Sequence, residues 1–416
     1  MTEHYDWFLG IDWGYDAHQL CLVDAAGQVH DTRRVEHDPA AVDSAIAWVL
    51  TRTAAAPSQI AVAIEQPRGA LVATLLQRSF PVYAINPKQL DRFRDRFSAA
   101  GAKDDARDAH VLGDSLRTDR RAFHRVPVAD PVILQLRELA HAEADCQRDL
   151  TRLTNQLRDQ IYRIAPPVLR LCPAADEPWF WTLLEQAPTL AEQQQLTRTQ
   201  VLTVLRAHRI RRLTAADLLA ALRAPAFAVA PGVHEATREA ISLLIPRLRV
   251  ADAQRKRCVV RQEALLTELR ERPAEAEPKE HCDVEILESL PGVGRMVSVA
   301  MLTQATEPLA TRDYDRLRAH LGTAPITKAS GKQRLVQMRT ACAARLRDAA
   351  YHWGRVSIQK DASAAAYYRR LRARGQTHGR ALRSVVDRWL RILVAMLRHR
   401  RLYDPKRFVT SAAVPV

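Results

Sequence analysis

The chain has 416 residues, enough for two or three domains with separate cores, and a net charge of +15. That charge is local. Residues 311–416 hold 24 basic and 6 acidic side chains, +18, which leaves the first 310 residues at −3 and points the Arg-rich C-terminal quarter at a polyanion. The six cysteines (Cys21, Cys146, Cys172, Cys258, Cys282, Cys342) form no C-x-x-C pair, no apolar run reaches the roughly 18 residues of a membrane span, and the polar start is unlike a signal peptide. Zinc-ribbon, redox-motif and membrane classes are therefore disfavoured, and the expected location is the cytoplasm, at the nucleoid when acting.

In chain order, strands over 7–13, 18–24 and 28–35 read as an antiparallel meander. A helix near 39–54, a buried strand over 60–65, a helix over 69–79 and a short strand over 82–86 follow. This β-β-β-α-β-α-β order is the ribonuclease-H-like pattern, and a helix over about 102–116 comes next. From about 131 to 164, Ile133, Leu136, Leu139, Leu150, Leu153 and Leu157 recur at amphipathic or coiled-coil spacing. Residues 176–228 read as a helical insert around Trp179-Phe180-Trp181, and a second long helix runs from roughly 234 to 271. Two long helices flanking an insert suggest an antiparallel arm, whose exposed apolar seams favour a homo-oligomer, dimer or tetramer. Residues 272–278 are the clearest linker. The fold class expected is α/β plus all-α: an α/β domain over 1–125, an arm over 126–280, a mainly helical domain over 281–405, and a tail over 406–416.

Four acids carry the first chemistry. Asp12 ends the apolar run from Phe8, Glu65 ends the run from Ile60, and Asp105 and Asp108 lie three apart in Lys103-Asp104-Asp105-Ala106-Arg107-Asp108-Ala109. A strand-end carboxylate is costly to desolvate unless a cation meets it. In a ribonuclease-H-like sheet the first and fourth strands are neighbours, so Asp12 and Glu65 fall side by side, and one helix face supplies the other two. Four facing carboxylates repel; one or two Mg²⁺ ions relieve this with oxygen ligation and serve in-line phosphodiester displacement. Asp104 competes for the place of Asp105, but only Asp105 is i, i+3 to Asp108. The plain alternative for each acid is a cap or a surface charge.

Three further stretches lie in the C-terminal part. Ser330-Gly331 sits in a basic loop with Lys328, Lys332 and Arg334, cations suited to an alkoxide and a pentavalent transition state, although most Ser-Gly pairs are turns. Gly292 and Gly294, followed by Arg295, read as the hairpin of a helix-hairpin-helix whose amides bind a DNA phosphate, or as a plain tight connection. Tyr368, Arg369, Arg372 and Arg374 interleave aromatic and cationic groups for base stacking and phosphate contact, while Tyr367 and Leu371 at i, i+4 also suit a core. No P-loop is present.

These motifs, in this order, resemble the DEDD transposases of the insertion-sequence family numbered one-ten across nearly the whole chain. Gly10-Ile11-Asp12 and Glu65 resemble the first two acids; Asn86-Pro87 and the 103–109 stretch resemble Asn-Pro and Lys-Thr-Asp-x-x-Asp-Ala. Leu290 to Gly294, His320-Leu321-Gly322 and Ser330-Gly331 fall where the family has its hairpin and serine motif, and Tyr367 to Gly375 resembles its closing signature. Asp104 replaces the motif Thr, and residues 339–345 lack the family's Gly-rich stretch. The resemblance implies a RuvC-like domain joined by a helical arm to a transposase domain, with Ser330 as the nucleophile that becomes linked to DNA and Mg²⁺ on the acids. It further implies half-sites from different protomers and a noncoding guide RNA that chooses donor and target DNA. Rival readings are a Holliday-junction-resolvase-like nuclease using water, a site-specific DNA invertase, and a nucleic-acid-binding protein with an inactive metal site.

Overall fold

The computed structural model describes residues 4–94, 105–128, 130–272, 281–331 and 333–406. Lys103, Asp104, Lys332, the linker beyond Arg272 and the tail beyond Lys406 lie outside the described residues. The chain divides into two compact units, Met1–Ala129 and Asp130–Val416.

The first unit contains β1 (Trp7–Asp12), β2 (Ala17–Asp24), β3 (Val29–Glu36), α1 (Pro39–Thr53), β4 (Ile60–Ile64), α2 (Ala70–Gln77), β5 (Val82–Ala84), α3 (Pro87–Arg94), α4 (Asp105–Thr118) and β6 (His124–Arg125). The strands form one mixed sheet in the order β3-β2-β1-β4-β5-β6, with β1 beside β4 as expected and parallel to it. α3 and β6 were not anticipated, and Glu65 falls one residue beyond its strand. All five residues of β4 are buried, as a parallel strand covered on both faces requires. Side chains alternate between the faces. Leu9, Ile11, Leu22, Ile60 and Val62 pack with α1 and α2, whereas Phe8, Cys21, Ala61 and Ala63 pack with α4. Asp38 caps α1 by accepting from the Ala41 amide at 3.0 Å, with Pro39 in the first turn.

The second unit opens on α5 (Pro131–Ile164), continues through the insert helices α6 to α9 (Pro178–Gln186, Leu190–Gln195, Arg198–Ala207, Ala215–Leu222), and returns along α10 (Pro231–Glu271). α5 and α10 are antiparallel partners: Arg261 meets Gln135, and Gln262 meets Glu143. Pro246 lies inside α10 and removes one N–H from its ladder. Threonine capping boxes start three short insert helices, at Thr189, Thr197 and Thr214. Trp179, Phe180 and Trp181 are buried as expected, and Trp181 Nε1 donates to the Ala175 carbonyl at 2.8 Å. The remainder comprises α11 (Asp283–Glu288), α12 (Arg295–Gln304), α13 (Thr306–Ala310), α14 (Tyr314–His320), a hairpin of β7 (Ile326–Ser330) and β8 (Gln333–Gln337), then α15 (Ala344–Lys360), α16 (Ala362–Ala373) and α17 (His378–His399).

Two apolar cores serve this unit. One joins the far ends of α5 and α10 to the insert; the other joins their near ends, through Val132, Leu136, Leu265 and Leu266, to α11–α17. Between the two the arm is polar, with Glu143 and Gln262 facing each other. No described helix is long and apolar enough to cross a membrane.

Candidate functional site

The acid edge follows from register. β1 and β4 pair with Ile11 opposite Ile64, so the next residues, Asp12 and Glu65, continue two neighbouring parallel strands. By alternation Asp12 shares the face of Phe8 and Gly10, and Glu65 shares that of Ala61 and Ala63: both stand on the α4 side. That side is floored with small residues. A Cβ on Gly10 would lie 1.9 Å from the Ala109 carbonyl oxygen and 2.6 Å from the Gly113 amide, so helix and strand backbones touch. α4 runs antiparallel to β1. Its last turn reaches the Trp7 end of the strand, where Arg117 donates to the Ala25 carbonyl at 3.4 Å and Asp24 pairs with Trp7. Its first turn, carrying Asp105 and Asp108, therefore lies toward the Asp12 end. Asp108 is only 3% exposed beside Ala109; Asp105 is exposed.

The donor set at this edge is all carboxylate oxygen, the chemistry hard divalent cations take. Among the described residues, no three of these acids bring a carboxylate oxygen within 4.8 Å of one another. Among the described residues, the group that does close to that distance is Cys172, Asp176 and Glu177 in the insert. There Glu177 is already bound by Arg212 and by Trp179 Nε1, and burial raises the Cys172 pKa, which makes a poor cation site.

Ser330 is placed differently from the expected loop: it is the last residue of β7, paired with Gln333 across a turn in which Gly331 has φ +55°. The hairpin is exposed nearly throughout. Directly opposed residues share a face, so Lys328, paired with Leu335, lies on the side of Ser330, whereas Arg334, paired with Ala329, lies on the other. The ladder thus separates two cations that the sequence grouped together.

The remaining nucleic-acid candidates divide into engaged and open groups. Arg295 is engaged: its guanidinium grips Glu143 at 2.9 Å through both terminal nitrogens and also contacts Gln262, tying α12 to the arm. The charge expected to meet a phosphate is thus paired with Glu143 in this structure. Burial raises the Glu143 pKa, but hydrogen bonds from Arg295 and Gln262 bring it below its ordinary value. Gly292 is engaged too. It has φ +85°, and a Cβ there would lie 2.7 Å from the Ser357 amide of α15. Gly294 faces open space at the start of α12. Tyr368 donates to or accepts from His378 Nδ1 at 2.7 Å, and Arg372 donates to the Gln376 carbonyl at 2.6 Å. Arg369 and Arg374 are exposed. Sequence reasoning missed the small-residue floor, although Ala109 and Gly113 at i, i+4 behind the acid pair signal it. It also missed Glu143, which lies 152 positions from Arg295 and has no local signature.

Comparison with known proteins bears on this arrangement. A DEDD transposase model of IS110 elements matches residues 9–166, the acid edge included, and the model described as the transposase IS116/IS110/IS902 family matches residues 284–369, the serine hairpin included. A Streptomyces coelicolor protein named for the mini-circle transposase of IS117 is 31% identical over 408 residues, 96% of each chain. The chain belongs to the IS110 transposase family. The 44.8 kDa protein of insertion element IS116 from Streptomyces clavuligerus is 28% identical over 99% of this chain and 100% of its own. A Sinorhizobium fredii protein named as transposase y4uE is 39% identical over 216 residues, 52% of this chain and 60% of that protein. Neither family model reaches residues 167–283, which hold the insert.

Proposed function

We propose that this IS110-family member is a transposase that cuts and rejoins DNA through Ser330. The supporting observation is the register that puts Asp12 and Glu65 on neighbouring strands, on the face α4 covers, with Asp108 buried at the same end. Asp12, Glu65, Asp105 and Asp108 would hold Mg²⁺ there, and the ion when bound supplies charge for a phosphate under attack. The N-terminal sheet is read as ribonuclease-H-like, of the RuvC type, and the Gly292–Gly294 turn as a helix-hairpin-helix connection.

Ser330 Oγ attacks phosphorus. One O–P bond forms, one bond to a nucleotide oxygen breaks, and the leaving hydroxyl takes up the proton that the serine releases. The phosphoserine conserves the bond energy, so an incoming strand's hydroxyl reverses the step without ATP. Lys328, on the face of Ser330, places positive charge beside the developing oxyanion. Gly294, Gly331, Lys332, Arg334, Tyr368, Arg369, Arg372 and Arg374 are read as contacts to nucleic acid, either the DNA or a guide RNA, and the working form as a homo-oligomer.

The test is adduct chemistry. Wild-type protein with Mg²⁺ and element-end DNA yields a denaturation-resistant protein–DNA species that maps to Ser330, and Ser330→Ala yields none. Cleavage without any adduct would assign the chemistry to water instead.

A further inference from the structure

A cavity opens at the base of the serine hairpin, between β8 and α17. Val336 and Met338 line it from the hairpin side, and Gln376, Arg380, Arg383 and Asp387 from the helical side. Arg380 and Arg383 lie at i, i+3, so both guanidinium groups leave one face of α17. Arg383 is half-buried, and among the described residues it has neither a hydrogen bond nor an ion pair. Burial and the neighbouring Arg380 charge push its pKa down. The acid of the cavity does not neutralise it: Asp387 already accepts from Arg318 Nε at 2.9 Å and from Tyr314 Oη at 2.9 Å. Gln376 Oε1 is buried and unpartnered. Turned over, that amide presents an N–H₂ donor at the same spot, an orientation that coordinates alone do not fix.

Two guanidiniums beside a carboxylate already taken up by Arg318 and Tyr314, with an amide whose flip gives a donor, describe a place for an anion with several acceptor oxygens. We propose that this cavity is a phosphate subsite for the nucleic-acid backbone, held by Arg383 and Arg380. It rests on the reading of the C-terminal part as the DNA-handling half of a transposase. The hairpin sets the spacing. Val336 pairs with Thr327, three residues before Ser330, or about 10 Å along the strand. By alternation Val336 lies on the Arg334 face of the hairpin, opposite Ser330, so the backbone reaches the subsite by crossing the hairpin edge. The exposed apolar side chains of Val336 and Met338 then lie against the sugars and bases beside that phosphate.

The experiment compares the full chain with Arg383→Gln and Arg383→Lys, reading anisotropy of a fluorescent single-stranded oligonucleotide from 50 to 200 mM KCl and, separately, thermal melting without ligand. One lost phosphate contact lowers the slope of log K against log salt by about 0.7, which is about 2.6-fold less affinity lost over that range. The expected result is that change for Arg383→Gln, its restoration by Arg383→Lys, and a melting temperature that holds or rises because an unneutralised charge has been removed. An unchanged slope overturns the proposal, as does a slope change accompanied by a lower melting temperature, which marks a structural arginine. Inorganic phosphate supplies the other arm: if it raises the melting temperature of wild type alone while the oligonucleotide slope stays equal, the site takes a small free anion and the nucleic-acid assignment fails. Binding needs no strand cleavage, so the subsite survives a failure of Ser330 chemistry and the two results remain distinguishable.

Discussion

Asp12 and Ser330 both end a β-strand, but their strands differ in kind. β1 lies inside a six-stranded sheet, paired on both edges and pressed on one face by the backbone of α4. β7 has one neighbour, β8, and its residues are exposed from Thr327 onward. An isolated two-stranded ladder is marginal in water. The acid edge is thus fixed by the fold before any substrate arrives, whereas the hydroxyl stands on an element that substrate contacts would help to order. A strand end is a position of rigour only when the strand itself is buried.

The sharpest way to break that contrast is to separate activity from stability. Ser330→Ala should lower strand exchange by about 10⁴-fold or more, the scale seen when a nucleophile is removed, while shifting unfolding free energy by no more than about 0.5 kcal/mol. Adduct assays and urea titration of the same preparation check both; a large stability loss would show that the hairpin is packed after all. Gly10→Ala should do the reverse. Its Cβ meets main-chain atoms of α4, which cannot rotate away, so about 3 kcal/mol of stability should go and the urea midpoint should fall. A neutral result would mean that α4 does not press on β1.

Arg295→Gln tests whether unit 2 has a fixed part of its own. Removing one partner of the largely buried Arg295–Glu143 pair should cost about 2 kcal/mol. The linkage has a sign. Glu143 has a folded pKa below its ordinary 4.5, so its contribution is present above pH 4.5 and lost as pH falls through the lower folded value. Acid denaturation of Arg295→Gln should accordingly show a shallower loss below pH 4.5 than wild type. The smallest effect concerns the two faces of the hairpin. Lys328→Gln should slow adduct formation about 10-fold, or about 1.4 kcal/mol, and Arg334→Gln should slow it less. Equal losses in the two single-turnover assays would refute the face assignment.

The parts legible in the sequence were those where burial imposes a pattern. β4 reads as an unbroken apolar run because both of its faces are covered, and Glu65 stands out as the polar residue that ends the run. β7–β8 was not legible: Thr327-Lys328-Ala329-Ser330 and Gln333-Arg334-Leu335-Val336 cover no core, so no alternation is enforced and the stretch reads as a basic loop. The engagement of Arg295 was hidden because its partners, Glu143 and Gln262, come from two distant helices. Charge counting alone assigns every arginine to the polyanion; only packing tells which of them are already matched.

The polar middle of the α5–α10 arm has a consequence for how this chain can change over time. No side chain of the insert belongs to the core that supports the serine hairpin, and none of the hairpin's supporting helices belongs to the core of the insert. Lengthening, trimming or replacing the insert therefore demands no compensating substitution around Ser330. Selection can rework the far end of the arm for new associations while the hairpin end is inherited intact.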